Sequence, residues 1–292
     1  MAEANVCASA AAGRTPAGTR VLVIGASGLV GNALVAKAEQ RGARVVGVAR
    51  QVRARATLEL DAGDRTALET LVDRFQPDVI ALAAAWSHVD GCERDPERSW
   101  RENVGTAETL LAATAGSATR LVFFSSDYVF DGRAAGPYTE RDATSPLNVY
   151  GRHKCAAEAR ILGRAGALVV RTSWVHGEDP GRKCFVDQVR RVARAGGPFV
   201  VTSAAGRHTA PDPADEGPVG CPTPADWLAD RTFACLDSGI GGIVHLAGPR
   251  VVTRVAWAHE LAPELNVVVR PPPPDSAPRP ERVVLRSERL SG

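Results

Sequence analysis

Three short motifs occur in a fixed order in the first half of this chain of 292 residues. A glycine-rich turn at residues 25–31 comes first, the run Ser-Ser-Asp at 125–127 comes second, and a Tyr-x-x-x-Lys pair, Tyr150 and Lys154, comes third. Residues four apart on a helix share one face, so the phenol and the ammonium group are predicted to be neighbours. An ammonium ion favours the phenolate, and we therefore expect the pKa of Tyr150 to fall toward the range useful for proton transfer.

Apolar runs alternate with helix-like segments along residues 20–175. We predict buried strands over 20–24, 43–49, 79–83, 121–125 and 167–172, and helices over 29–41, 64–75, 96–115 and 148–163. Nearly continuous apolar strands that alternate with helices indicate the α/β class, with a doubly wound parallel Rossmann sheet covered on both faces. Ligands of such sheets bind at the carboxyl ends of the strands, which is where Gly25, residues 83–87, residues 125–127 and Trp174 fall.

The second half of the chain has a looser pattern. Residues 204–224 are rich in Gly, Pro, Asp and Ala and predict a long loop, and a helix is expected near 253–265. We divide the chain into a flexible tail at 1–19, an NAD(P)-binding Rossmann domain at 20–175 with a returning strand near 242–247, and a smaller lobe at 176–292 that mostly binds substrate.

Composition and charge argue against several classes of protein. The net charge of +2 at pH 7 gives no reason to expect nucleic acid or a membrane surface as a partner. The six cysteines are scattered without a C-x-x-C pair, so neither a zinc site nor a disulfide framework is predicted, and we expect no metal. The N-terminal segment lacks the basic start and apolar run of a secretory signal, and no stretch approaches the length of a membrane span, so a cytoplasmic protein is expected.

The glycine-rich turn follows a strand and opens a helix, which is the context that a dinucleotide-binding loop requires. Glycines allow a tight turn and a close approach of the backbone to a pyrophosphate, whose charge is favoured at the helix N-terminus. The alternative is a glycine-rich turn without a ligand. The candidate cofactor-binding residues of this loop are Gly25, Ser27, Gly28, Leu29, Val30 and Gly31.

The end of the second predicted strand bears on the choice between the two nicotinamide dinucleotides. NAD is preferred where that strand ends in an acidic residue, which binds the ribose 2′-hydroxyl. Here it ends at Arg50, with Arg53 and Arg55 close behind, and a guanidinium suits a 2′-phosphate. We therefore predict NADPH, with NADH as the alternative, since these arginines could equally be solvated on a surface loop. Asp61 either contacts the adenine side or caps a turn.

Ser126, Tyr150 and Lys154 are the candidate catalytic residues. Ser126 would polarise a carbonyl oxygen, Tyr150 would act as general acid, and Lys154 would tune the phenol and hold the nicotinamide ribose hydroxyls. Each residue alone has an ordinary explanation, because serines often end strands and Tyr-x-x-x-Lys occurs by chance. The three together, with a dinucleotide loop upstream, favour hydride transfer at a carbon coupled to proton transfer at its oxygen.

Four segments resemble the signature elements of one enzyme family. Residues 124–132 (FSSDYVFDG), 146–154 (PLNVYGRHK), 171–177 (RTSWVHG) and 83–90 (AAAWSHVD) resemble those of the dTDP-4-dehydrorhamnose reductase family, and Asn103 matches its following helix asparagine. That family is a branch of the extended short-chain dehydrogenase/reductases. The similarity is good over about residues 20–177 and patchy beyond them.

The resemblance implies a two-lobed enzyme that reduces the 4-keto group of a nucleotide-linked 6-deoxy sugar. Hydride would reach C4 of the sugar from the nicotinamide while Tyr150 supplies a proton to the oxygen, to which Ser126 hydrogen-bonds. The further cofactor-binding residues that it implies are Ala83, Ala84, Ala85 and Asn103, and the implied substrate-binding residues are Ser87, Val89, Asp127, Tyr128 and Trp174.

Departures from the family pattern leave alternatives open. They lie at Cys184, in residues 215–223 and in 279–285, all within the predicted substrate lobe. The alternatives are a 4-ketoreductase for another deoxysugar or ketone of secondary metabolism, and a non-catalytic NADP-binding regulatory subunit like the β subunit of methionine adenosyltransferase. A dehydratase is disfavoured because Tyr128 follows Asp127 where a dehydratase has an acidic pair, and an epimerase because the second strand lacks an acidic end. The oligomeric state stays open, with a homodimer as one alternative.

Overall fold

The computed structural model describes residues 18–177, 181, 184–203 and 215–290 of the chain. Most of the predicted N-terminal tail and the first part of the predicted loop at 204–224 therefore lie outside the described residues. The strands, in chain order, are β1 (Arg20–Ile24), β2 (Arg44–Ala49), β3 (Leu58–Glu59), β4 (Val79–Leu82), β5 (Arg120–Phe124), β6 (Leu168–Arg171), β7 (Val175–His176), β8 (Phe199–Thr202), β9 (Val219–Gly220), β10 (Thr223–Pro224), β11 (Gly242–His245), β12 (Val252–Thr253) and β13 (Val267–Arg270).

The helices lie between these strands. They are α1 (Leu29–Gln40), α2 (Arg65–Phe75), α3 (Val89–Arg94), α4 (Pro96–Trp100), α5 (Thr106–Ala113), α6 (Val149–Leu162), α7 (Phe185–Ala195), α8 (Ala225–Asp237) and α9 (Arg254–Leu261). A π-helical turn, Arg101–Gly105, joins α4 to α5. The helix predicted over 96–115 is therefore present, but its hydrogen-bonding pattern changes from α to π and back to α. A short 3₁₀ turn, Asp127–Val129, follows β5.

Seven strands form one parallel sheet in the order β11-β6-β5-β4-β1-β2-β3. The chain runs outward from β1 in one direction through β2 and β3, and then in the other direction from β4, so the order reverses between β1 and β4. This confirms the doubly wound parallel sheet predicted from the alternation of strands and helices. In such sheets the crevice at the reversal point is the place where ligands bind.

Local sequence signals explain where the first two helices begin and end. The Asp64 carboxylate accepts a hydrogen bond of 3.1 Å from the backbone N–H of Ala67 and so caps α2. Gly42, just beyond α1, has a φ of +76°, a conformation that glycine adopts without the steric cost of a Cβ atom. Both observations confirm the helix ends predicted from the sequence.

The hydrophobic core lies on both faces of the sheet. On one face α1 and α8 pack against the strands through side chains that include Leu34 and Phe233. On the other face α2, α5 and α6 pack through Leu68, Leu110 and Ile161. Two filled faces explain why the sheet strands are apolar at consecutive positions and not at alternate ones.

Part of the second half of the chain completes this sheet. The predicted returning strand is confirmed as β11, which pairs in parallel with β6, and α8 lies against α1. The division into two domains at residue 175 stays a prediction, but α8 and β11 belong to the sheet layers. The loop predicted over 204–224 is wrong at its end, because β9 and β10 lie there and pair with β12 and β7. Their partners are distant in sequence, so composition alone did not reveal the pairing.

Candidate active site

The glycine-rich turn lies at the reversal point of the sheet. Gly25 has a φ of +92°, and a Cβ atom there would lie 2.5 Å from the backbone nitrogen of Ala84. A Cβ atom on Gly31 would collide with the carbonyl oxygen of Gly25, so the turn can pack onto α1 only with glycine at this position. Gly28 is the N-cap of α1 and gives it no side-chain cap. The first N–H groups of this helix therefore have no side-chain acceptor at the cap, and Gly28 itself lies in the wall of the crevice.

A cleft of about 630 Å³ opens beside this turn. The predicted cofactor residues that line it are Gly25, Ser27, Gly28, Arg50, Asp61, Ala83, Ala84 and Ala85. Leu29, Val30 and Gly31 lie at the start of α1 and do not line it; Leu29 and Val30 instead pack against apolar clusters. Asn103 is also outside the lining and is buried in the π-helical turn. Its side chain accepts from the N–H of Trp86 (2.9 Å) and donates to the Trp86 carbonyl (3.1 Å), so it positions the loop after β4.

The cation predicted to favour a 2′-phosphate has a partner in the cleft. Arg50 donates to Glu102 over 3.1 Å, and Arg98 donates to the other oxygen of the same carboxylate over 2.8 Å. Burial alone would raise the pKa of Glu102, but the hydrogen bonds from the two guanidinium groups outweigh it and lower that pKa. Arg53 lines the same cleft. Asp61 accepts from the N–H of Gly63 over 2.9 Å and so caps a turn at the cleft wall.

Tyr150 and Lys154 share the buried face of α6, as their spacing predicted. The helix begins at Asn148, whose side-chain oxygen accepts from the N–H of Gly151 over 2.9 Å. A Cβ atom on Gly151 would collide with the carbonyl oxygen of Tyr128, so glycine lets α6 approach the turn after β5 closely. The ring of Tyr150 then meets that of Tyr128 edge-on, with 5.8 Å between the ring centroids.

The electrostatics of Tyr150 differ from the prediction. Burial raises the pKa of its phenol, the negative charge of Asp127 raises it further, and a hydrogen bond with Ser126 only partly opposes them. The expected lowering is therefore wrong for this structure, because desolvation of the phenolate outweighs the hydrogen bond that favours it. Burial also lowers the pKa of Lys154 to about 8, against the charge of Glu158, and the Lys154 ammonium donates to the carbonyl of Phe124 over 2.8 Å.

Ser126 and Asp127 continue a chain of hydrogen bonds from the Tyr150 phenol. The Ser126 hydroxyl donates to Asp127 over 3.0 Å and takes part in the hydrogen bond with Tyr150. The Ser173 hydroxyl donates to the other carboxylate oxygen over 2.6 Å. Burial raises the pKa of Asp127, while these two hydroxyls and the charge of Arg254 partly offset that effect. Ser173 was not among the predicted site residues, although it stands beside Trp174 in a quoted motif.

A second cavity, of about 380 Å³, lies at the end of the sheet beyond Tyr128. We refer to it as the substrate cavity. Of the five predicted substrate-binding residues, Asp127, Tyr128 and Trp174 line it, whereas Ser87 and Val89 do not. Ser87 is exposed on the loop before α3, and Val89 packs in the apolar cluster that contains Tyr150. The other charged or amide side chains of the lining, which sequence reasoning missed as site residues, are Gln188, Arg254 and Arg279.

The indole of Trp174 is held rigidly at the wall of this cavity. The backbone of Trp174 has a φ of +44°, a left-handed conformation that costs a residue other than glycine about 1–2 kcal/mol. Its edge packs on Gly220, where a Cβ atom would collide with the indole ring. The guanidinium of Arg254 lies 3.6 Å from its ring centroid, so Trp174 stacks on an arginine in this structure. No pattern in the sequence indicated that pair, because β12 and α9 bring Arg254 from far along the chain.

The arrangement fits a nicotinamide dinucleotide. The collisions that a Cβ atom would meet at Gly25 and Gly31, and the absence of a side-chain cap at Gly28, leave a backbone cradle suited to a pyrophosphate. Across the parts of the chain that the structure describes, no group of three or more His, Cys, Asp or Glu side chains could hold a metal ion. The fold and this geometry define a Rossmann-type α/β protein of the kind that binds a dinucleotide beside a Tyr-Lys pair.

Comparison with known proteins agrees with this class. The model of the RmlD substrate-binding domain matches residues 19–292. The dTDP-4-dehydrorhamnose reductase of Mycobacterium tuberculosis H37Rv is 34% identical over 270 residues, covering 89% of this chain and 81% of that protein. Subunit β of rat methionine adenosyltransferase 2 is 39% identical over 161 residues, covering 54% of this chain and 48% of that protein. The structure of a Bacillus anthracis dTDP-4-dehydrorhamnose reductase in complex with NADP has a TM-score of 0.78 at 22% identity, and covers 92% of this chain and 90% of that one.

The chain therefore belongs to the RmlD family of NAD(P)H-dependent oxidoreductases, which confirms the resemblance seen in its motifs. The Bacillus structure, at 22% identity, supports the fold alone. Among the helices that the structure describes, none is long and apolar enough to reach across a bilayer.

Proposed function

We propose that this protein is an NADPH-preferring reductase of the 4-keto group of a nucleotide-linked 6-deoxy sugar. The observation that carries the proposal is the position of the buried Tyr150 phenol. It is hydrogen-bonded with Ser126 and in ring contact with Tyr128, and Tyr128 lies in the wall of the substrate cavity. Tyr150 does not itself line that cavity, and its helix partner Lys154 shares its buried helix face. A ketone held at that wall would meet a proton donor and a hydroxyl at one place.

The cofactor assignment is supported by the cleft and by a relative. The backbone cradle at the glycine-rich turn suits a pyrophosphate, and Arg50 and Arg53 line the same cleft, where a 2′-phosphate would find positive charge. The Bacillus anthracis reductase, which has this fold, was solved with NADP. Bound there, the nicotinamide would supply the hydride.

Side chains of this protein would transfer the proton to the carbonyl oxygen. Because burial and Asp127 raise the pKa of Tyr150, its phenol is protonated at neutral pH and is ready to act as a general acid. Ser126 would hydrogen-bond the same carbonyl oxygen and polarise it. The Lys154 ammonium, held by the carbonyl of Phe124, would stabilise the phenolate that remains after the proton has left.

A second candidate is a non-catalytic NADP-binding subunit. The 39% identity to the β subunit of rat methionine adenosyltransferase 2 over about half of each chain favours it. A protein in that role would bind NADPH and show no turnover, so the two candidates differ in one measurable quantity.

The deciding experiment follows NADPH absorbance with the purified protein and a dTDP-4-keto-6-deoxy sugar generated in place by a dehydratase. We expect oxidation that requires the sugar, and a loss of at least about 100-fold in kcat for Tyr150→Phe with the NADPH affinity retained, because only the proton donor is removed. Tyr138→Phe is the matched control, since Tyr138 is also buried but donates to Asp131 away from both cavities. Full activity in Tyr150→Phe would overturn the catalytic assignment, and NADPH binding without oxidation would favour the second candidate.

A further inference from the structure

We propose that Arg254 binds the diphosphate of the substrate through a guanidinium group that the substrate cavity holds ready between aromatic rings. The inference rests on the proposed function for the identity of the substrate, but not for the charge of the group that is bound. Arg254 lies at the start of α9, outside the four segments that resemble the family's signature elements.

Aromatic rings fix the position of this guanidinium. Its carbon lies 3.6 Å from the ring centroid of Trp174, 4.5 Å from that of Phe185 and 5.5 Å from that of Trp257. The rings of Phe185 and Trp257 are themselves stacked, with 4.6 Å between their centroids. Cation–π attraction compensates part of the cost of burying the charge, and the planar guanidinium is pre-oriented against the flat rings.

The hydrogen-bonding groups of Arg254 are not used within the protein. Within the described part of the chain, its side chain forms no hydrogen bond and no ion pair. The other arginine of the cavity, Arg279, donates to Asp90 over 2.8 Å and also hydrogen-bonds with Tyr128. Arg254 is thus the cation of this lining whose five N–H donors have no acceptor among the described residues.

The charges around the cavity leave it positive. Asp127 is the acidic side chain of the described lining, and two serine hydroxyls already donate to its oxygens. Burial lowers the pKa of Arg254 to about 10, although Tyr128 and Asp127 act in the opposite direction, and the group therefore remains charged near neutral pH. A half-buried guanidinium with no acceptor among the described residues, in a cavity of about 380 Å³, favours an anionic ligand.

A diphosphate meets that requirement better than a sugar or a base. Its oxygens accept in the bidentate geometry that guanidinium offers, whereas a hydroxyl of a sugar carries no charge. A base cannot take the face of Trp174 that Arg254 occupies. The sugar ring would then lie nearer Tyr128 and the phenol of Tyr150, with the diphosphate farther into the second half of the chain.

The test compares dTDP with thymidine, which differ by the diphosphate alone. Isothermal titration calorimetry of the NADPH-loaded protein should show that Arg254→Gln weakens dTDP binding about 10- to 100-fold and leaves thymidine binding unchanged. Arg282→Gln is the matched control, because Arg282 is exposed, lies in the same half of the chain and does not line the cavity. Unchanged dTDP affinity, or equal losses for dTDP and thymidine, would overturn the proposal.

Two further measurements keep the result decisive. Retained NADPH affinity shows that Arg254→Gln is folded, and if it is not, Arg254→Lys preserves the charge but loses the planar fork and should still weaken dTDP binding severalfold. Pyrophosphate is the probe that separates the two proposals. If the protein has no sugar reductase activity but binds pyrophosphate in a way that depends on Arg254, only the proposed function is contradicted. If Arg254→Gln reduces the sugar with an unchanged KM, only the inference about Arg254 is contradicted.

Discussion

The Tyr150 phenol lies among groups that pull its pKa in opposite directions. Burial and the carboxylate of Asp127 raise its pKa, the hydroxyl of Ser126 lowers it, and the net effect is a raised pKa. For a reductase this balance is useful, because the group must deliver a proton and is fully protonated at neutral pH. Lys154, whose pKa is lowered to about 8 by burial, is then the member of the pair that titrates in the working range.

The titration of Lys154 predicts the pH dependence of reduction. Below about pH 8 its side chain is an ammonium ion, and above that pH the neutral amine no longer stabilises the phenolate of Tyr150. We expect kcat to fall as the pH rises through about 8, measured by NADPH oxidation at saturating sugar. In Lys154→Arg the charge persists to higher pH, so the falling limb should move upward. A wild-type profile that is flat from pH 7 to 9.5 would contradict this assignment.

Glu102 is predicted to limit the preference for NADPH. Its carboxylate accepts from both Arg50 and Arg98 and places a negative charge in the cofactor cleft. In Glu102→Gln the charge is removed and Arg50 is released, so NADPH should bind about fivefold more tightly while NADH binding changes little. Fluorescence titration with both dinucleotides measures this. Glu108→Gln is the matched control, because Glu108 lies on α5 outside the cleft and forms an ion pair with Arg160 of α6. Equal changes in the affinity for NADPH and NADH would refute the prediction.

Helix α6 carries both members of the Tyr-Lys pair, and its contacts hold it in place. Asn148 caps it and also donates to the carbonyl of Pro278 over 2.8 Å, which ties the helix to the C-terminal segment. One turn beyond Lys154, Glu158 accepts two hydrogen bonds, of 3.0 and 2.7 Å, from Arg171 on β6 in a buried pair. The position of the phenol is therefore set by the whole helix and not by its own contacts alone.

The close approach of α6 to the turn after β5 can be tested at Gly151. In Gly151→Ala the new methyl group would collide with the carbonyl of Tyr128 and lie 2.9 Å from Pro146, so the helix or the turn must shift. We expect a loss of about 2–3 kcal/mol in the free energy of unfolding in urea, together with a fall in kcat. Gly105→Ala is the control, since its methyl group would meet only the carbonyl of Trp100 at 3.9 Å and should be neutral or stabilising by up to about 1 kcal/mol. Equal stability of the two variants would show that the contact is not tight.

At the scale of the whole molecule, the two halves of the chain share one core. Leu228 and Phe233 of α8 and Val244 of β11 pack in the same cluster as the residues of α1 and β1. Arg41 at the end of α1 forms an ion pair with Asp237 at the end of α8. A boundary at residue 175 thus separates segments that bury each other's apolar surface. Helices α7 and α9 and strands β8 and β13 form a separate apolar cluster.

This shared core predicts cooperative unfolding. In urea, far-ultraviolet circular dichroism and tryptophan fluorescence should follow one coincident transition, because loss of the second half would expose Leu228 and Phe233 and leave the face of α1 uncovered. The tryptophans report on both halves, since Trp86 and Trp100 precede residue 175 and Trp227 and Trp257 follow it. Two separated transitions would instead indicate a lobe that folds independently.

The sequence by itself determined the α/β class, the parallel sheet and the helices that carry the motifs, since apolar runs, caps and glycine turns act within a few residues of one another. The Gly25 turn, the helix end at Gly42, the cap at Asp64 and the shared face of Tyr150 and Lys154 were all predictable in this way. These features depend on local backbone geometry and on the period of the hydrophobic pattern.

Only the tertiary structure decided the electrostatics and the lining of the second cavity. Burial of Tyr150 reversed the expected direction of its pKa. Packing also left Ser87, Val89, Asn103 and the three candidate catalytic residues outside the linings of the two cavities. Arg254 reached Trp174 from 80 positions farther along the chain, a distance at which no local pattern indicates contact. Desolvation and long-range packing depend on which segments meet in space, and that was decided by the fold as a whole.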